Sequence, residues 1–191
     1  MAQSLGLGSA GHKDGLLTPP RSGILLLMKP LLIVQTSPAG STLEIAGMLQ
    51  KALEGLGRPS VVASFAEGPD LAAYSGVIAA SPIHGMRWLP EASAWVDAQR
   101  EALRKVPCAL VAVSYLYFEG RASWKASILK GLEALRAPLP HASIQVFAGR
   151  LPSPLPTPAR WLFGVKKGRP LDLVDPAAVA AWAADWVRTV P

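Results

Sequence analysis

Hydroxyl side chains gather at Thr36, Ser37, Ser41 and Thr42, with Gly40 among them. Hydroxyls donate hydrogen bonds without carrying charge. Beside the free N–H groups at a helix start they suit one monoester phosphate. The stretch has neither the lysine of GxxxxGK[ST] nor the three glycines of GxGxxG, so it is not a nucleoside-triphosphatase loop or a dinucleotide fingerprint. A strand-to-helix turn also needs a cap, and Ser41 would serve as an ordinary one.

The flanking elements are those such a cradle needs. Leu31 to Gln35 is a short apolar run of the kind buried on both faces of a sheet. Leu43, Ala46, Leu49, Leu53 and Leu56 then recur at helical spacing, with Glu44 in the first turn. Further strands are predicted at 60–65, 76–83, 106–118 and 142–148. Helices are predicted from Pro90, with Ala94, Trp95, Ala98 and Leu103 inward; over 123–135, capped by Ser123; and over 175–190, capped by Asp175 with Pro176 at its first position. Alternating strands and helices imply parallel pairing with right-handed crossovers. Ligand chemistry then belongs at the carboxyl ends of the strands, which selects the loops 36–42, 82–90 and 115–122. Residues 1–27, rich in Gly and Ser and without a period, read as a flexible extension preceding one domain over 28–191. From Gly149 to Pro170 periodicity is lost, with prolines at 152, 154, 156, 158 and 170. This reads as a surface excursion with room for only a short turn, not a sixth strand–helix unit.

Composition narrows the function classes. The 191 residues suffice for one domain with a substantial core, half of them are hydrophobic, and the formal net charge is +6. That charge permits anionic partners and selects none. The single cysteine, Cys108, excludes an internal disulfide and a multi-cysteine metal site, and its apolar setting reads as a small buried residue. No metal site is expected, and no catalytic residue is assigned.

The loop TSPAGST resembles the flavin mononucleotide phosphate loop of flavodoxin-like proteins. It is nearest the variant of the menaquinone-dependent protoporphyrinogen oxidase group, on the match of Thr36, Ser37, Gly40 and Thr42. The resemblance implies an α/β, doubly wound, five-stranded parallel sheet in the order 2-1-3-4-5, with helices on both faces. It also implies FMN as cofactor. Its phosphate would lie on Thr36, Ser37, Ala39, Gly40, Ser41 and Thr42. Its ring would lie between Pro82, Ile83, His84, Gly85 and Trp88 on one side and Ser114, Tyr115, Tyr117 and Gly120 on the other. Trp88, expected to be exposed, offers an indole face for stacking, or else packs on the helix that follows it. Gly85 lets backbone amides approach the ring, and His84 can carry a proton or be an ordinary solvated residue.

The implied function is that of an FMN-dependent oxidoreductase acting on a porphyrinogen or quinone. The alternative is a scaffold or interaction protein that keeps the fold without redox activity. The basic charge argues against an acidic electron carrier. Trp161, Leu162 and Phe163 beside Arg160, Lys166 and Lys167 suit peripheral contact with an anionic membrane, or form a satellite of the core. A cytoplasmic protein, possible at the inner membrane face and as a homodimer, is expected. No nucleic-acid partner is expected, since no recognition motif accompanies the charge.

Overall fold

The computed structural model describes residues 28–36 and 40–191. The expected N-terminal extension lies outside them, as do Ser37, Pro38 and Ala39 of the hydroxyl loop. In chain order the elements are β1 (Leu31–Gln35), α1 (Ser41–Gly55), β2 (Ser60–Ser64), β3 (Gly76–His84), β4 (Arg87–Trp88), α2 (Pro90–Ala98) and α3 (Arg100–Leu103). There follow β5 (Cys108–Val113), α4 (Tyr115–Glu119), α5 (Ala122–Arg136), β6 (Ser143–Phe147), α6 (Thr157–Phe163) and α7 (Pro176–Trp186). Short 3₁₀ turns at Phe65–Glu67, Leu71–Ala73 and Val187–Thr189 complete the set.

The sheet runs β2-β1-β3-β5-β6, all parallel. This is the doubly wound order 2-1-3-4-5 expected of the five long strands. The two-residue β4 pairs back antiparallel on β3, Ile83 opposite Trp88 and His84 opposite Arg87. Because successive side chains in a strand alternate between faces, the sheet feeds two cores. Leu32, Val34, Val77, Ala79 and Leu110 pack with Trp95, Val96, Ile128 and Leu132 of α2 and α5. Leu31, Ile33, Ile78 and Val111 pack with Ile45, Leu49 and Leu53 of α1 and with Val179, Ala183 and Trp186 of α7. A fully buried leucine such as Leu32 or Leu49 contributes about 1.5–3 kcal/mol by leaving water.

Several expectations are corrected. The strand expected over 106–118 ends at Val113, because Ser114 accepts a hydrogen bond from the Tyr117 N–H and starts α4 instead. The cap of α1 is Gly40, not Ser41, and that of α5 is Arg121, not Ser123. Ala94 and Ala98 face solvent, since α2 turns Ala92, Trp95 and Val96 inward. The excursion after β6 holds a short α6, whose Phe163 meets Trp124 of α5 edge-on while Trp161 and Leu162 stay exposed. Asp175 caps α7 through the N–H groups of Ala177 and Ala178, as expected.

Candidate functional site

A cavity of about 530 Å³ opens at the carboxyl ends of β1, β3, β5 and β6. At its polar end Gly40 takes φ 92° and ψ −170°, and no side chain among the described residues caps α1. Gly40 has no side chain, so among the described residues none takes the first-turn N–H groups of α1. Thr42 is 2% exposed. Ser41 Oγ accepts the Arg150 N–H at 3.4 Å, and Thr36 Oγ1 donates to Glu91 Oε1 at 2.9 Å.

The walls are largely apolar. From β3 come Pro82, Ile83 and His84, and from the turn after it Gly85 (φ 54°) and Met86 (φ 65°), the tip of the β3–β4 hairpin. Positive φ at both central residues is what the tight hairpin turn that follows the twist of the strands requires. Met86 pays about 1 kcal/mol for it, lacking glycine's freedom. Ser81 Oγ accepts the Leu89 N–H at 3.3 Å, which holds the chain leaving β4 against β3. Opposite lie Val113, Ser114, Tyr115 and Leu116. Tyr115 is 5% exposed, and its hydroxyl donates to the Pro170 carbonyl at 2.9 Å. Burial, chiefly, and the nearby Glu119 carboxylate raise the Tyr115 phenol above its ordinary value.

The fourth wall, Gly149 to Pro152, enters because Gly149 has no side chain. A Cβ there would lie 3.0 Å from Val113 Cγ1 and 3.2 Å from Ser41 Oγ. Next to it the Arg150 guanidinium bridges Glu44 at 2.9 Å and Asp172 at 2.7 Å. The Asp172 hydrogen bond raises the Arg150 pKa, and Asp172 is lowered first by the Val174 N–H and then by Arg150. On the far side of α4, Arg169 pairs with Glu119 through two N–H···O bonds and lowers its pKa.

Of the residues expected at a site, the fold brings Thr36, Gly40, Ser41, Thr42, Pro82, Ile83, His84, Gly85, Ser114 and Tyr115 to this cavity. Trp88, Tyr117 and Gly120 do not line it. Trp88 is 5% exposed, contrary to the expected free indole face, because its pairing with Ile83 turns it into the core beside Ala92 and Trp95. Tyr117 packs partly buried on that same core with Lys125 over its ring, and Gly120 lies against the Leu116 carbonyl. Met86, Leu89 and Leu116 lie within the selected loops 82–90 and 115–122 but were not singled out, and sequence reasoning missed Val113 and the wall 149–152. The carboxyl-end rule that chose three loops would have chosen Gly149 too, at the end of β6.

The profile of the flavodoxin domain matches residues 32–154. Flavodoxin 2 from Bacillus cereus, oxidised, superposes with a TM-score of 0.52 at 16% identity, over 84% of this chain and 99% of that one. An NADH:FMN oxidoreductase in its apo form superposes with a TM-score of 0.52 at 13% identity, over 86% and 91%. Rubredoxin oxygen:oxidoreductase from Desulfovibrio gigas does so with 0.52 at 12% identity, over 87% of this chain but only 37% of that one. At these identities the structural likeness is one of fold. Among proteins of curated function, none matches the chain.

Proposed function

The chain belongs to the flavodoxin domain family, and we propose that it binds FMN and acts as an FMN-dependent oxidoreductase. The observation that carries this reading is the start of α1, which no side chain among the described residues caps, with Ser41 and buried Thr42 beside it, facing an apolar slot at the switch point between β1 and β3. A cavity of about 530 Å³ falls within the usual range for such ligands. Hydroxyls and amides without a lysine fit a monoester phosphate, and Pro82, Ile83, Leu89 and Leu116 fit a flat apolar ring. Thr36, Ser37, Ala39, Gly40, Ser41 and Thr42 would hold the phosphate. When bound, FMN supplies hydride or single-electron transfer. The chain's own part is to orient the ring, to exclude water from it with these apolar walls, and to present the Gly85 backbone at its edge. The phosphate must also compete with Glu91 for the Thr36 hydroxyl.

Titrating FMN and following quenching of its fluorescence tests the reading. Saturable binding is expected, with Thr42→Val weakening it roughly tenfold, the worth of one hydrogen bond to a charged group. Unchanged flavin emission at protein concentrations up to the millimolar range would leave the chain without a flavin role.

A second reading, a fold-retaining interaction protein, draws on the same cavity. Its only Phe, Tyr or Trp side chain among the described residues is Tyr115, which is buried, so the ring would find no exposed phenol or indole face. The flavin titration separates the two.

For substrate we propose the classes the loop implies, a porphyrinogen or a quinone, and a basic surface suits either an acidic substrate or an anionic membrane. Trp161 at 76% and Leu162 at 51% exposure, near Lys166 and Lys167, are the proposed point of peripheral contact. No helix among the described residues is long and apolar enough to cross a membrane. Retention on vesicles containing anionic lipid, lost in Lys166→Glu/Lys167→Glu and released by salt, is the expected result. Equal retention on neutral vesicles would count against it.

A further inference from the structure

On the other side of the β3–β4 hairpin a second cavity of about 540 Å³ lies between α2 and α5. Ile83 lines both cavities, so the hairpin is the partition between them. The second one has an apolar floor, Ile128, Leu132 and Leu135 of α5, and a rim of donors: Arg87, Ser93 and Arg100. One carboxylate, Asp97, joins the rim, and it is paired with Arg100 at 2.6 Å. Two cations against one acid leave the lining net positive.

Two residues of this lining also carry a buried side-chain N–H with no hydrogen-bond partner among the described residues: Trp88 at Nε1 and Arg100 at Nε. Trp88 itself is 5% exposed. Buried N–H groups almost always find an acceptor. Six buried side-chain atoms among the described residues lack one, and two of the six belong to this one cationic lining, which gives an outside acceptor a place to dock. Every group left wanting there is a donor, and the surplus charge is positive. What fits is an acceptor carrying negative charge, with an apolar body to cover the leucines.

We propose that the cavity between α2 and α5 is a binding site for a small organic carboxylate with an aromatic or branched apolar body. Arg87 and Arg100 meet the carboxylate, the Trp88 indole N–H turns to it, and Ile128 and Leu132 take the body. Such a ligand bears directly on the hairpin that carries His84, Gly85 and Met86 into the first cavity. The proposal stands on these donors alone and is independent of the flavin reading.

The test uses the full chain labelled with nitrogen-15. The indole N–H resonance of Trp88, assigned by its loss in Trp88→Phe, is followed while benzoate is added; benzyl alcohol is the neutral control. A saturable shift with benzoate is expected, with at least tenfold weaker affinity in Arg87→Gln and in Arg100→Gln, and no saturation with benzyl alcohol. Both arginine variants change partly exposed side chains, and unchanged spectra elsewhere verify their fold. Absence of a saturable shift would overturn the proposal. So would an equal response to benzyl alcohol, which would mark a merely apolar slot, or undiminished benzoate affinity in both variants.

Discussion

Cys108 shows how burial decides a residue's chemistry. It sits at the head of β5 at 3% exposure, and desolvation pushes its thiol up to about 11. At pH 8 almost none of it is thiolate, so native protein should leave an aromatic disulfide reagent unreacted for hours and react at once in denaturant. Gly120 shows the same for shape. A Cβ there would fall 2.4 Å from the Leu116 carbonyl oxygen, which is backbone and cannot swing aside. Gly120→Ala should cost about 1–3 kcal/mol in urea unfolding. Residues of these two kinds differ in legibility. Cys108 could be read from the apolar run around it. Gly120 was expected to face the ring, and its real constraint, a carbonyl on the preceding turn, exists only once Tyr115–Glu119 is helical. The exposed indole expected of Trp88 was misread for a related reason, and the alternative, packing on the helix that follows, is what the structure shows. A two-residue hairpin with a methionine at positive φ carries no Asn-Gly or Asp-Gly signature, so the strand pairing that decides between the two readings of Trp88 was not legible.

At the scale of elements, the strands were legible and the turns between them less so. Apolar runs of five or six residues bounded by Pro and Gly read as buried strands, and β1, β2, β3 and β6 stand within a residue or two of their expected bounds. The run from Val106 to Phe118 has no polar break except Ser114, and periodicity alone cannot divide it. The connection from Gly149 to Val174 was legible as irregular but not in its ties, which depend on distant acids. Arg150 meets Glu44 and Asp172, and Arg169 meets Glu119. Both Asp172 and Glu119 have lowered pKa values, so they bind protons more weakly folded than unfolded. Their contribution is present above the ordinary carboxylate range near pH 4 and is lost as pH falls through the lowered values. Thermal midpoints should be flat from pH 8 to 5 and fall below pH 4. The fall should be smaller in Glu119→Gln, whose starting midpoint is already lower.

For the whole molecule, the two cores on opposite faces of one sheet act as separate stores of stability. Leu49→Ala on the α1 side and Leu132→Ala on the α5 side should each cost about 2–5 kcal/mol. Because the two leucines belong to different clusters, the double variant should lose close to the sum in urea titrations. The Gly149–Val174 connection has one more consequence. It carries the chain from the edge strand β6 to α7, which packs on α1 through Val179, Ala183 and Trp186. Lys166 and Lys167 stand exposed within it, ahead of Gly168 at φ 76°. A tryptic cut there would sever the peptide without disturbing either packed face. The two fragments should then elute together at the intact size and separate only in denaturant, so the last helix can be supplied as a separate peptide.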